Sequence, residues 1–202
     1  GTTSVSVTTI GGTAIANNAF TYSPAPTIAL VSPGAGPSSG GTTITITGAS
    51  YLAGSTSVRV GGVLATSVTV VNPTTITAVT PAGSVGSASV TVTTPVGTAT
   101  MPKGFIYVEA PTMSSVSPSV GSTNGGTPIT INGTFLTGAL SVTVGGVAAT
   151  NVVVLDPTTI TAVTPIGTVG PSTVGVTTMG GTATLKNAFT YIAPTISSVS
   201  PT

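Results

Sequence analysis

The sequence predicts an all-β protein made of tandem antiparallel β-sandwiches, and three observations lead to this prediction. Apolar and hydroxyl residues alternate throughout, as in TTITIT, where Ile44 and Ile46 share one face and the threonines the other. Gly, Pro and Asn interrupt the alternation at short intervals, and no segment has helical periodicity. A period of two is typical of half-buried strands. With turns this regular, we expect about seven short strands per sandwich.

A repeat of domain size is the third observation. The stretch AFTYSPAPTIALVSP returns as GFIYVEAPTMSSVSP and again as AFTYIAPTISSVSP, so that Pro33, Pro118 and Pro201 lie 85 and 83 positions apart. A fixed period of this length indicates an array of similar modules. The repeat predicts four segments: the closing hairpin of a preceding module (1–22), two complete modules (23–107 and 108–191) and the first strand of a following module (192–202). We expect a window from a longer polypeptide, or else open ends that pair between subunits.

Aromatic residues recur two positions apart at the end of each closing strand: Phe20/Tyr22, Phe105/Tyr107 and Phe189/Tyr191. Residues two apart on a strand share a face, so these pairs are expected to fill one end of each sandwich core. The alternative is a platform on which a sugar ring could stack. The linkers SPAP, VEAP and IAP that follow contain proline, which restricts the backbone and predicts stiff joints.

Charged residues make up only 2% of the 202 residues, and the chain has no His and no Cys. The five charged residues do not recur at equivalent positions of the repeat: Arg59, Lys103, Glu109, Asp156 and Lys186. Two carboxylates without a His do not assemble an acid–base pair, and zinc or calcium would lack its ligands. Three basic residues are too few for phosphate contacts. We therefore expect no enzymatic activity, no cofactor, no metal and no nucleic-acid partner.

Three smaller sites remain as alternatives in the sequence. Asp156 occupies the place of Asn72 before Pro and Thr-Thr, which predicts a turn in which the side chain bonds its own backbone. A self-made isopeptide bond would need Lys103 with Glu109, or Lys186 with Asp156. Asn132-Gly133-Thr134 is an N-glycosylation sequon, so Asn132 is a candidate glycosylation site, although Gly at its centre also suits a plain turn.

The mean hydropathy of +0.61 is high, yet no apolar run approaches the roughly 20 residues that span a bilayer. We expect no membrane insertion by this segment. Solubility must then come from hydroxyl groups rather than from charge. Because so few groups titrate, stability is expected to change little between about pH 3 and pH 9.

The order of motifs PTI.SVSP, GGT.ITITG, V.VGG, PTTITAVTP, V.VTT.GGTAT and AFTY resembles the IPT/TIG family of immunoglobulin-like modules. The resemblance covers two whole copies and two partial ones. It implies immunoglobulin-like sandwiches joined by short Pro-bearing linkers. Such modules recur in bacterial surface proteins, receptor ectodomains, polysaccharide-processing enzymes and some DNA-binding factors, so the family does not fix a function.

The function predicted from these features is a non-enzymatic structural or adhesive segment of a long bacterial extracellular or cell-surface protein. Its partners would be neighbouring modules of the same chain and further copies, because neutral strand edges without Lys invite lateral association into fibres. The alternative is a carbohydrate- or receptor-binding spacer of a secreted enzyme or of a phage tail fibre, with a glycan or a cell-surface ligand as its partner.

Overall fold

The computed structural model describes residues 1–195, in which all regular secondary structure is β-strand. The chain begins with a hairpin of β1 (Thr2–Thr9) and β2 (Gly12–Thr21). Val5 pairs with Ala16 and Thr9 with Gly12 across this hairpin, and both of its faces are exposed. The predicted strand at residues 192–202 lies outside the described residues from residue 196 onward.

The first domain is a two-sheet sandwich. Its strands are β3 (Thr27–Ser32), β4 (Ala35–Pro37), β5 (Thr43–Ala49), β6 (Ser57–Val60), β7 (Val63–Leu64), β8 (Thr66–Asn72), β9 (Thr75–Val79), β10 (Gly86–Thr94) and β11 (Gly97–Val108). One sheet has the order β3-β5-β9-β8, and the other has the order β4-β11-β10-β6-β7.

The second domain repeats this topology strand for strand. Its strands are β12 (Thr112–Ser117), β13 (Val120–Ser122), β14 (Pro128–Thr134), β15 (Ser141–Val144), β16 (Val147–Ala148), β17 (Thr150–Asp156), β18 (Thr159–Val163), β19 (Gly170–Thr178) and β20 (Gly181–Ile192). The sheets have the orders β12-β14-β18-β17 and β13-β20-β19-β15-β16.

Each domain has nine strand segments, where the sequence predicted about seven. The difference comes from short segments. The first strand of each sandwich divides between the two sheets, which adds the three-residue β4 and β13, and a two-residue strand closes the edge of the larger sheet at β7 and β16. Segments this short carry no readable alternation, so the period of two cannot reveal them.

The core of each sandwich consists of the inward faces of the alternating strands, as predicted. In the second domain it contains Val116, Ile129, Ile131, Leu136, Val142, Val144, Ile160, Ala162, Val174, Val176, Phe189 and Tyr191. The first domain buries the equivalent residues, with Tyr51 in the place of Leu136. The predicted pairs Val68/Val70 and Val152/Val154 are only partly buried, because they lie on the edge strands β8 and β17.

Candidate functional site

The charged side chains stay apart on the surface. Arg59 extends from β6 and donates from Nη1 to the Gly62 carbonyl at 2.8 Å. Lys103, Lys186 and Asp156 are all exposed, so neither isopeptide pair has the buried setting that such a bond requires. Within residues 1–195, no group of three or more His, Cys, Asp and Glu side chains is placed to hold a metal ion.

Asp156 forms the predicted turn. Its Oδ1 accepts hydrogen bonds from the Thr158 backbone N–H at 2.7 Å and from the Thr158 hydroxyl at 2.6 Å. Asn72 does the same in the first domain, accepting from the backbone and the hydroxyl of Thr74 at 2.9 and 2.8 Å. The hydrogen bond from the Thr158 hydroxyl and then that from its N–H hold the pKa of Asp156 below its ordinary value. Asp156 is therefore a turn residue.

Replacing Asp156 by Asn and by Ala separates charge from hydrogen bonding. A lowered folded-state pKa adds stability that is present above the ordinary carboxyl pKa near 4 and is lost as the pH falls through the folded value. We expect Asp156→Asn to keep the turn, as Asn72 does, and to remove the small acid dependence. Asp156→Ala should lower the melting temperature at every pH. Thermal melts of the two variants between pH 2 and 7 check these expectations. Equal melting temperatures for Asp156→Asn and Asp156→Ala would contradict the role of this side chain in the turn.

The aromatic pairs of both sandwiches fill the core, as the sequence predicted. The Phe189 and Tyr191 rings meet edge to face with centroids 5.0 Å apart, and both are essentially inaccessible to solvent. The Tyr191 hydroxyl donates to the Pro165 carbonyl at 2.8 Å, which satisfies its only polar atom. Phe105 and Tyr107 are equally buried. None of these four rings can stack on a sugar.

Tyr51 is a buried tyrosine outside the repeated aromatic pairs, and the alternating pattern gives no signal for it. It donates a hydrogen bond to the Thr27 carbonyl at 2.8 Å, whereas the second domain has Leu136 at the same place. Burial raises the pKa of Tyr51, Tyr107 and Tyr191, and at Tyr191 a hydrogen bond from Thr164 opposes part of that rise. The first domain therefore contains two buried tyrosines with a raised pKa, and the second domain contains one.

Stability should fall in alkali, and more steeply for the first domain. A raised folded-state pKa gives stability that is fully present below the ordinary tyrosine pKa near 10 and is lost as the pH rises through the folded value. We expect melting temperatures that are nearly flat to about pH 9 and lower above about pH 10. Calorimetry across pH 7–12 measures this for each domain.

Tyr51→Phe is the matched variant for the alkaline measurement. It should reduce the alkaline loss of the first domain while removing one hydrogen bond worth about 1 kcal/mol at neutral pH. Identical alkaline slopes for the two domains, unaffected by Tyr51→Phe, would contradict the assignment.

One surface cavity of the second domain has a volume of about 280 Å³. Val147, Ile166 and Tyr191 are among its lining residues, and no charged side chain contributes to it. Pockets for small ligands occupy about 300–1,000 Å³ and carry convergent polar groups. This cavity is slightly smaller, its polar side chains other than Tyr191 are Thr168 and Ser172, and its one aromatic ring is only 1% exposed.

Asn132 lies on β14, between β12 and β18, where it pairs with Ser115 on one side and Thr159 on the other. Its Nδ2, the atom that would carry a glycan, donates to the Ser115 hydroxyl at 3.2 Å. The next residue, Gly133, donates its backbone N–H to the Thr158 carbonyl at 2.9 Å. The sequon is therefore in a paired strand rather than in the turn that Gly133 suggested.

Threonine hydroxyls pair across the strands of the larger sheets. Thr91 meets Thr100 at 3.1 Å and Thr93 meets Thr98 at 3.2 Å in the first domain, and Thr177 meets Thr182 at 2.9 Å in the second. Such pairs are the cross-strand contacts that stabilise sheets. They give these domains an exposed face of hydroxyl groups that bond one another.

The free sheet edges of the two domains have no Lys, as the sequence indicated, but their geometry protects them. Register shifts interrupt all four outer strands of the smaller sheets, β3, β8, β12 and β17. Ser67 and Asn151, on β8 and β17, both have a φ of +50°. The larger sheets end in strands of two or three residues. Bulges and short edge strands discourage pairing with another chain, which argues against the predicted bundling by strand addition.

The part of the chain that the structure describes contains no helix of the length and hydropathy needed to cross a membrane. The fold defines a protein of tandem immunoglobulin-like sandwiches. The chain belongs to the IPT/TIG domain family, whose model matches residues 26–107 and 111–191.

Several solved structures are similar to this chain. The full extracellular region of plexin A4 matches with 24% identity and a TM-score of 0.51, over 83% of this chain and 18% of that one. Another structure of the same region matches with 29% identity and a TM-score of 0.48, over 76% and 15%. SGBP-B from a complex xyloglucan utilization locus in Bacteroides uniformis matches with 26% identity and a TM-score of 0.39, over 83% and 50%. The chain thus spans less than a fifth of the plexin structures. No curated protein matched the sequence.

Proposed function

We propose that this chain is a non-enzymatic structural segment of a long extracellular or cell-surface protein of a bacterium, in which successive IPT/TIG domains form a stiff rod or filament. One observation carries the proposal. Core and turn positions recur between the two domains, whereas no charge recurs: where Asp156 occupies a recurring turn position, the first domain has the neutral Asn72. This pattern is expected where the repeats serve to extend the protein and do not each carry a binding site.

The linkers support a stiff rod because each contacts the domain that follows it. Ala25 lies against the β10–β11 turn, where a Cβ on Gly97 would be 3.1 Å from the Ala25 Cβ. Glu109 lies against the β19–β20 turn, where a Cβ on Gly180 would overlap the Glu109 carbonyl. Pro26 directly follows Ala25 and Pro111 lies two positions after Glu109, so these linkers have little conformational freedom.

Immunogold electron microscopy of the source bacterium tests the location and form. We expect label along thin projections outside the cell envelope, and label confined to the cytoplasm would overturn the proposal. Sedimentation velocity of the purified chain tests the form in solution. An elongated monomer is expected, because the blunted edges oppose lateral bundling.

The alternative, a glycan-binding spacer, has a direct test. Affinity electrophoresis in gels containing xyloglucan or mixed-linkage glucan should leave the mobility unchanged, because the aromatic pairs of both domains are buried and offer no stacking surface. Phe20→Ala with Tyr22→Ala is the matched control for the exposed pair of the hairpin. Retardation by either polysaccharide would favour the alternative and would count against a purely structural role.

A further inference from the structure

The β1–β2 hairpin has an apolar face that is uncovered in the described chain, although the same sequence is covered twice elsewhere. Residues 1–22 align with residues 86–107 and 170–191 without a gap, so that Gly1, Gly86 and Gly170 correspond. Exposed fractions on the hairpin are 47% for Val5, 62% for Val7, 51% for Phe20 and 67% for Tyr22. The eight equivalent residues of the two domains are exposed by at most 1%: Val90, Val92, Phe105, Tyr107, Val174, Val176, Phe189 and Tyr191.

The second domain shows what covers such a hairpin. β19 pairs with β15, where Val174 meets Val144, and β20 pairs in parallel with β13, where Tyr191 meets Gly121. The apolar face packs on residues of the four-stranded sheet, including Ile129, Ile131 and Ile160. Within residues 1–195, β1 and β2 pair only with each other. The hairpin therefore lacks both edge partners and the facing sheet.

The low stability of an isolated hairpin and its lack of charge restrict what can occupy this surface. A two-stranded hairpin without a packed face is marginally stable in water. The hairpin side chains are uncharged, so the occupant must offer an apolar sheet face and strand edges rather than a charged surface. In both internal precedents, such an occupant is the stretch of repeat that directly precedes the hairpin in the chain.

We propose that the hairpin is the docking surface for the front strands of a further domain of this repeat, equivalent to β3–β9, which join Gly1 in the register in which residue 85 joins Gly86. The exposed face and the two covered copies carry this inference, and it holds whether or not the protein forms a rod outside a cell. The completed unit is a third sandwich, with Phe20 and Tyr22 as its core pair.

The test extends the full chain by a second copy of residues 23–85 placed directly before Gly1. Hydrogen exchange of the β1 and β2 amides should slow to the rates of β10 and β11, and a further cooperative unfolding transition should appear. Phe20→Ala should then lower the midpoint of that transition as much as Phe189→Ala lowers that of the second domain. Exchange at the rate of the unextended chain would overturn the proposal.

Two controls separate docking from other causes of protection. An extension carrying Ile44→Asp and Ile46→Asp in the added copy cannot form the facing sheet, and it should leave the hairpin unprotected. Protection with this disrupted extension would contradict docking. A dimer that is lost on Val7→Lys and persists in the extended chain would place a second copy on the hairpin face, which would also overturn the proposal.

Discussion

Phe189→Ala is expected to lower the free energy of unfolding of the second domain by about 3–5 kcal/mol, because it removes a fully buried ring from a closed core. The loss has two parts. First, the burial of the ring no longer contributes to folding. Second, the neighbours of the ring cannot move to fill the cavity, because Tyr191 is held by its hydrogen bond to the Pro165 carbonyl and Gly121, which lies next to the ring, is part of a strand. Chemical denaturation, followed separately for each domain, measures the effect.

The matched control is Phe20→Ala in the same chain. Phe20 has the same sequence neighbours and a similar edge-to-face contact, with its ring centroid 4.9 Å from that of Tyr22, but half of its surface remains in water. We expect Phe20→Ala to change the free energy of unfolding by less than about 0.5 kcal/mol. Equal losses from the two substitutions would show that the repeat sequence, rather than burial in a completed sandwich, sets the contribution of this ring.

Gly133→Ala should destabilise the second domain by on the order of 3 kcal/mol, a large effect for one methyl group. A Cβ on Gly133 would overlap the Thr112 carbonyl and would lie 3.2 Å from the Met113 Cα. Both contacts are backbone of β12, which is held in register with β14, while Gly133 itself is bonded to Thr158 on the other side. The added methyl group can therefore be accommodated only by separating strands.

Gly34→Ala is the control for this substitution, because the nearest atom to its Cβ would be the Val31 carbonyl oxygen at an ordinary 3.8 Å. This change should be neutral or slightly stabilising, since alanine restricts the unfolded chain. Gly48, the equivalent of Gly133 in the first domain, should be as sensitive as Gly133, because its Cβ would overlap both the Thr27 carbonyl and the Tyr51 hydroxyl. If Gly133→Ala left the stability unchanged, β12 would have to be able to move away from β14.

The sequence predicts the faces and the turns well, because those depend on residues near one another in the chain. Alternation placed Ile129 and Ile131 in the core, and the paired turns at Asn72 and Asp156 follow from side chains that bond a residue two positions on. What it could not predict depends on contacts between distant segments. Gly133 is constrained by the Thr112 carbonyl across a sheet, and its recurrence as Gly48 in the two ITITG-like motifs was the only signal.

The edge strands also combine a feature that the sequence predicts with one that depends on contacts between distant segments. Their lack of Lys is visible in the sequence, whereas the bulges at Ser67 and Asn151 arise from pairing with β9 and β18 and leave no mark in an alternating pattern. A prediction of strand addition drawn from charge alone was therefore incomplete. The burial of Tyr51 was likewise not predictable from neighbouring residues. Its hydroxyl donates to the Thr27 carbonyl at the start of β3, 24 positions earlier in the chain.

The paired threonine hydroxyls give these domains a surface on which dissolved ions have little to act. Salt weakens protein contacts mainly by screening charges within about 10 Å at 0.1 M ionic strength. Here the cross-strand contacts, such as Thr177 with Thr182, join neutral groups, and only five charged side chains exist in the whole chain. We therefore expect the melting temperature of these domains to change little between about 0.01 M and 0.1 M salt.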